Sequence, residues 1–215
     1  MKLTKYEHSC VVLEKDGEFL VIDPGGLSES FLAPDNCIGV VVTHEHFDHL
    51  DQDRLVSVLV KNPNAKLYVN ADIAAQLREQ LKTSVVLIAP GDINKAGEFR
   101  LEFVGGIHEV VRPEITPCAN TGVIVDELFY HPGDAHFVPE KPVVWLGVPI
   151  NAPWSKVSET NDFVKATKAK YAIPIHDGLL SAEGLPTYES HIKAACEIVG
   201  TEYQHLQVGE DLEIS

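Results

Sequence analysis

Apolar residues in this chain recur in short blocks set apart by Gly, Pro, Asn and Asp, with a few longer stretches at helical spacing. "CVVLEKDGEFLVIDPGG" (10–26) reads as two strands joined at Asp16-Gly17, a dipeptide suited to a tight hairpin. "IGVVVT" (38–43) is a continuous apolar run rich in β-branched residues, as expected of a strand buried on both faces. "DQDRLVSVLVKNP" (51–63) reads as a helix. Asp51 serves as N-cap, acids occupy the first turn, and Pro63 follows the stop. "KLYV" (66–69) is a short strand. A second helix is predicted over 71–81, with Ile73, Leu77 and Leu81 on one stripe and Asn70 as its cap.

Further on, "SVVLIAPGD", "EFRLEFVGGIH", "TGVIVDELFYHPGD" and "PVVWLGVPI" each read as a strand closed by turn residues. Between them, 109–120 ("EVVRPEITPCAN") has no periodicity and is a loop. A helix around 158–169 leads to the strand "YAIPIHDG". Another helix over 188–199 carries Tyr188, Ile192, Ala195 and Val199 on one stripe and stops at Gly200. "EYQHLQVGEDLEI" closes the chain as a strand or hairpin. The order is roughly duplicated. Each half has antiparallel-looking strands followed by strand, helix, strand. A four-layer αβ/βα sandwich of the α/β class, formed as one domain over residues 1–215, uses all of these elements.

Composition narrows the class. At 45% hydrophobic and 23% charged, the 215 residues suffice for a sizeable core. The net charge of −15 argues against a nucleic-acid partner, because backbone binding needs a cationic surface. Cys10, Cys37, Cys118 and Cys196 show no CxxC spacing and read as reduced thiols, with Cys10 and Cys196 in the core. "MKLTKYEHSC" has no apolar signal region, and no apolar run approaches a membrane span. A soluble, cytoplasmic protein is expected.

The candidate chemistry lies in the histidines, of which there are ten. His44, His46, Asp48 and His49 crowd into "THEHFDHLD" at the end of an apolar run. His108 follows "FVGG", His131 and His136 flank Gly133-Asp134, and His176 ends "AIPI". Strand ends are where open sheets gather ligand sites. Neutral imidazoles and carboxylates are the ligands of a water-activating divalent ion. Two ions ~3.5–4 Å apart need about twice that supply and a carboxylate to bridge them. The chain offers His44, His46 and His108 as one set, and Asp48, His49 and His176 as a second, with Asp134 as bridge. Successive strand residues point to opposite faces, so Asp48 and His49 fit only if the chain turns after His46. His191 and His205, each isolated, are read as surface residues.

In content, order and spacing, His44-x-His46-x-Asp48-His49 followed by His108, Asp134 in "GDA" and His176 resembles the metallo-β-lactamase superfamily. Asp23 of "VIDPGG" matches an aspartate that supports the metal loop. "EHSCVVLE" and the compact length look most like the L-ascorbate-6-phosphate-lactonase-like hydrolases. The resemblance implies the αβ/βα fold, the two ligand sets and bridge just given, and a dinuclear centre, most often zinc, with manganese and iron as alternatives. Ala135 stands where many relatives have Thr, and "VPINAPW" (148–154) replaces their glycine-rich loop, so the lactonase's substrate contacts do not transfer.

The implied mechanism is hydrolysis by a metal-bridging hydroxide, since bound metal lowers the pKa of water from 15.7 to about 7. Asp48 and Asp134 then hold the ions and orient the hydroxide. His136 is a candidate hydrogen-bond donor to substrate or leaving group, the alternative being a supporting or surface role. His131 is expected to be structural, His8 is a candidate to face the site from the first strand, and the 109–120 loop is a candidate cap. Three readings follow: a hydrolase of a small-molecule lactone, ester or phosphoester; a nucleic-acid phosphodiesterase; and a non-catalytic metal-binding protein. The acidic charge favours the first over the second, and the full ligand set favours it over the third.

Overall fold

Among the described residues, 1–77 and 85–215, the computed structural model has two seven-stranded sheets face to face. The first places β14 (Asp211–Glu213) beside β1 (Lys2–Lys5), then β2 (Val11–Lys15), β3 (Glu18–Ile22), β4 (Cys37–Val42), β5 (Lys66–Val69) and β6 (Val85–Leu87). The second mirrors it. From β7 (Ile93–Ala96) it runs through β8 (Phe99–Gly105), β9 (Thr121–Val125) and β10 (Phe129–His131). It continues through β11 (Trp145–Pro149) and β12 (Tyr171–Ile175) to β13 (Glu202–Tyr203). In each sheet four strands are antiparallel, and from β3 and from β10 onward the pairing is parallel.

Alternation along the strands explains the layers. Leu20 and Ile22 of β3 face the inter-sheet core with Tyr68, Phe99, Phe103, Phe129 and Ile173, while Val21 faces the opposite way. That outer side is covered by α1 (Gln52–Lys61) and α2 (Ala71–Leu77), through Leu55, Val58, Ile73 and Leu77. On the second sheet, Ile124, Leu146 and Ala172 meet Phe163, Val164, Ile192 and Ala195 of α3 (Val157–Thr167) and α4 (Gly184–Val199). Because the side-chain period is two, slipping any of these strands by one residue would exchange its two buried faces. The architecture is the αβ/βα sandwich.

Several elements depart from the sequence pattern. "TGVIVDELFYHPGD" is a hairpin, not one strand: Asp126 and Glu127 both take left-handed backbone (φ 53 and 58) between β9 and β10. β7 is hidden by its polar composition, and pairs with β8 across a turn at Gly97. α4 starts at Gly184, earlier than 188, because Pro186 lies in the first turn, where its missing N–H costs nothing. α3 spans Val157–Thr167, ending where Lys168 turns left-handed. The C-terminal segment is neither one strand nor a hairpin: β13 joins the second sheet and β14 the first, with Leu206 buried between. The predicted positions 78–81 of the second helix, including Leu81, lie outside the described residues. No helix among the described residues is long and apolar enough to cross a membrane.

Candidate metal centre

The C-terminal ends of β3, β4, β8, β10 and β12 share one edge of the sandwich, and the loops leaving them carry the histidines and acids. After β4 the chain turns tightly, with His49 and Leu50 N–H groups donating to the His46 carbonyl. This turn gives Asp48 and His49 a direction different from His44 and His46. α1 then begins under Asp51, whose side chain accepts from the Arg54 N–H at 2.8 Å.

Two donor groups assemble there. His44, His46, His108 and Asp134 form one, and His8, Asp48, His49 and His176 the other, with the donor atoms of each within 4.8 Å of one another. Asp134 sits between them. Its Oδ2 lies 3.1 Å from His176 Nε2 and 3.3 Å from His108 Nε2, and its Oδ1 lies 2.9 Å from His49 Nε2. All of these residues are buried except Asp48, half-buried, and His46, exposed.

The rings are aimed by bonds on their outer nitrogens. His49 Nδ1 donates to Asp23 Oδ2 at 2.7 Å, His108 Nδ1 to the Glu109 carbonyl at 2.6 Å, and His176 Nδ1 to the Asn151 carbonyl. Thr43 Oγ1 donates to Asp23 Oδ2 at 2.7 Å and so can accept from His44 Nδ1 at 3.1 Å. Asp23 also accepts from the Thr43 N–H. With the outer nitrogens committed, the Nε2 atoms point inward. His44 Nε2, His49 Nε2, His108 Nε2 and Asp134 Oδ1 are buried without a hydrogen-bond partner. Buried polar atoms left unpaired are costly, and ligating histidines characteristically anchor their other N–H in this way. The residues present therefore fit divalent cations.

Electrostatics agree with the crowding. Burial, then the charge on His49, pushes His44 well below the usual imidazole range. Burial also opposes charge on His49, but the Asp134 and Asp23 carboxylates, one at each ring nitrogen, hold its pKa well above that range. Burial would raise Asp48, yet the His8 hydrogen bond and the His49 charge bring it down to about 2.

His136 is not drawn into either group. Its Nε2 faces Thr160 Oγ1 at 3.3 Å and Ser155 Oγ at 3.5 Å, its ring stacks on Phe163 at 5.2 Å, and Trp154 packs edge-on at 5.0 Å. His131 is wholly buried as a clip: Nε2 donates to the Ser9 carbonyl and Nδ1 accepts from the Gly133 N–H. Trp154 has no role legible in the sequence, but its indole N–H donates to Asp134 Oδ2 at 2.7 Å. Nothing in the local pattern marks that contact. Cys118 Sγ stands 4.0 Å from His46 Nε2, with burial pushing its thiol up to about 11.

The model of the beta-lactamase superfamily domain matches residues 2–176, ending on His176. The chain belongs to the metallo-β-lactamase superfamily. Protein Rv0786c of Mycobacterium tuberculosis is 35% identical over 96% of each chain. A UPF0173 metal-dependent hydrolase of Metallosphaera sedula is 26% identical over 79% of this chain and 80% of its own. Among solved structures, a metallo hydrolase from the archaeon Ignicoccus hospitalis superposes with a TM-score of 0.76 at 20% identity, covering 98% of this chain and 97% of that one. The metallo-β-lactamase fold protein YhfI of Bacillus subtilis gives 0.72 at 15% identity, with 98% of both chains covered. At those identities the two structures speak for the metallo-β-lactamase fold.

Proposed function

We propose that this metallo-β-lactamase superfamily member is a dinuclear, metal-dependent hydrolase of a small-molecule lactone, ester or phosphoester. The observation that supports it most is the meeting of two donor groups on one carboxylate, Asp134. His44, His46 and His108 hold one ion, Asp48, His49 and His176 the other, and Asp134 is shared. Divalent cations at these positions supply a water ionised near neutral pH and polarise the substrate's oxygen. Imidazole-rich ligation suits zinc and also accepts manganese or iron.

The chain's own residues do the rest. Asp23 and Thr43 fix the His44 and His49 rings, while exposed His46 and half-buried Asp48 border the solvent-facing side where substrate enters. Phe47 and Ile107, next in sequence to His46 and His108, are exposed, as is Leu179, three residues after His176. These side chains offer an apolar rim for the non-reacting part of a small substrate. The four unpaired cysteines fit a reducing, cytoplasmic setting.

Elemental analysis of protein purified without a chelator or histidine tag tests this reading, together with a panel of lactones, esters and phosphodiesters. Close to two metal equivalents are expected, and His46→Ala and Asp134→Ala each lose at least one equivalent and nearly all hydrolysis. Full metal content in both variants sinks the ligand assignment. Turnover confined to nucleic-acid phosphodiesters replaces the substrate class.

A further inference from the structure

His8 lies in the second donor group, and by proximity alone it is as good a ligand as its neighbours. Its hydrogen bonds are wired the other way round. His8 Nδ1 accepts from the Gly178 backbone N–H at 3.2 Å, so that nitrogen carries no proton. The proton of the neutral ring is then on Nε2, which points at Asp48 Oδ2 at 3.0 Å. His44, His49, His108 and His176 do the opposite, with Nδ1 bonded outward and Nε2 directed at the centre, where His176 Nε2 meets Asp134 Oδ2 at 3.1 Å. We infer that His8 is a positioning residue and not a metal ligand: its Nε2–H holds Asp48 in place for the second ion.

The backbone is shaped for this contact. A Cβ on Gly178 would come within 3.1 Å of His8 Cβ and 3.2 Å of Nδ1, so the absence of a side chain lets the 178 N–H reach the ring. The His8 carbonyl accepts from the His176 N–H at 2.9 Å, and both residues take left-handed backbone, φ 61 and 59. Three residues before His8, the wholly buried Lys5 pairs with Asp177 at 2.7 Å. Segment 5–8 leaves β1 of the first sheet, and segment 176–178 leaves β12 of the second. Asp48 and His176 come from different sheets, yet both are tied to His8. His8 therefore links two ligands across the sandwich, Asp48 through its ring and His176 through its backbone carbonyl.

This rests on the two-ion reading above, and the test separates the two. Zinc affinity of each equivalent is measured on metal-stripped full-length chain by competition with a chromophoric chelator, for wild type, His8→Ala and His8→Gln. Gln places an amide N–H near the Nε2 position but is a poor zinc ligand. His8→Ala is expected to weaken the second equivalent about 10–100-fold, the range for residues that orient ligands, and to leave the first unchanged. His8→Gln restores most of that loss. Equal losses in the two variants overturn the positioning role. Long-range ¹⁵N–¹H spectra of wild type give a readout independent of whether the variants fold: His8 shows a protonated Nε2 both without and with zinc. A zinc-bound Nε2 with protonated Nδ1 makes it a ligand and ends the proposal. Failure of wild type to take up a second zinc overturns the two-ion reading instead, while the metal-free spectrum still decides the tautomer.

Discussion

At Asp134 a single carboxylate serves both donor groups, and its orientation decides whether either is complete. Its N–H donates to Asn120 Oδ1 at 3.0 Å, and the Trp154 indole donates to its Oδ2. Burial would raise the Asp134 pKa, but the His49 and His176 charges hold it well below the usual carboxylate range, so the group stays ionised. A buried anion with one neutral donor removed is poorly compensated. Trp154→Phe keeps an aromatic ring at the site but removes the N–H together with part of the indole. It is expected to destabilise the metal-free chain by about 1.5–3 kcal/mol, the usual worth of a hydrogen bond to a charged group. Urea unfolding in the presence of chelator reads this directly, and an unchanged midpoint would show that the bond contributes nothing.

The element that matters most is the turn between β4 and α1, and it is packed against the segment after β3. The Gly26 N–H donates to the Phe47 carbonyl at 2.7 Å and the Asp51 N–H to the Pro24 carbonyl at 3.1 Å. A Cβ on Gly25 would lie 1.8 Å from the Asp48 carbonyl oxygen, a backbone atom with no freedom to move alone. Gly25→Ala must therefore push the 44–49 turn outward. We expect a stability loss of about 1–3 kcal/mol, as for overpacking elsewhere, and a fall in zinc content toward one equivalent. Two equivalents bound at wild-type affinity would show the turn to be more pliant than its packing implies. At this scale the sequence was informative where local chemistry sets structure. The Asp16-Gly17 hairpin and the Asp51 and Asn70 caps stand where their side chains predict, the last accepting from the Ile73 N–H. It was silent where partners decide: Asp126-Glu127 is not a typical turn pair, and β7 has no apolar face of its own.

Across the whole molecule, the site could be read as a set of residue types at strand ends, since histidines and acids there have few other uses. The direction of each ring could not be read. It depends on contacts between distant residues, such as Gly178 with His8 or Asn151 with His176. The same burial makes the metal-free fold sensitive to acid. Burial lowers the pKa of His8 to about 4 and depresses His44, His46, His131 and His136 as well. Unfolded, each returns to about 6.5, so below that pH the unfolded chain binds protons that the folded chain refuses. Their contribution to stability is lost as pH falls from about 6.5 toward the folded values. His49 has the opposite sign. Its raised pKa stabilises the fold fully below about 6.5, and that contribution fades as pH rises through the folded value. Below about 6.5 His49 is protonated in both states and adds nothing to the slope, so each depressed ring costs up to about 1.4 kcal/mol of stability per pH unit once its unfolded form is protonated and its folded form is not. Urea midpoints in chelator at about pH 7.5, 6.5 and 5.5 should therefore hold steady over the first step and fall over the second. A midpoint that holds or rises between about pH 6.5 and 5.5 would mean that the buried rings take up protons in the folded chain as readily as in the unfolded one.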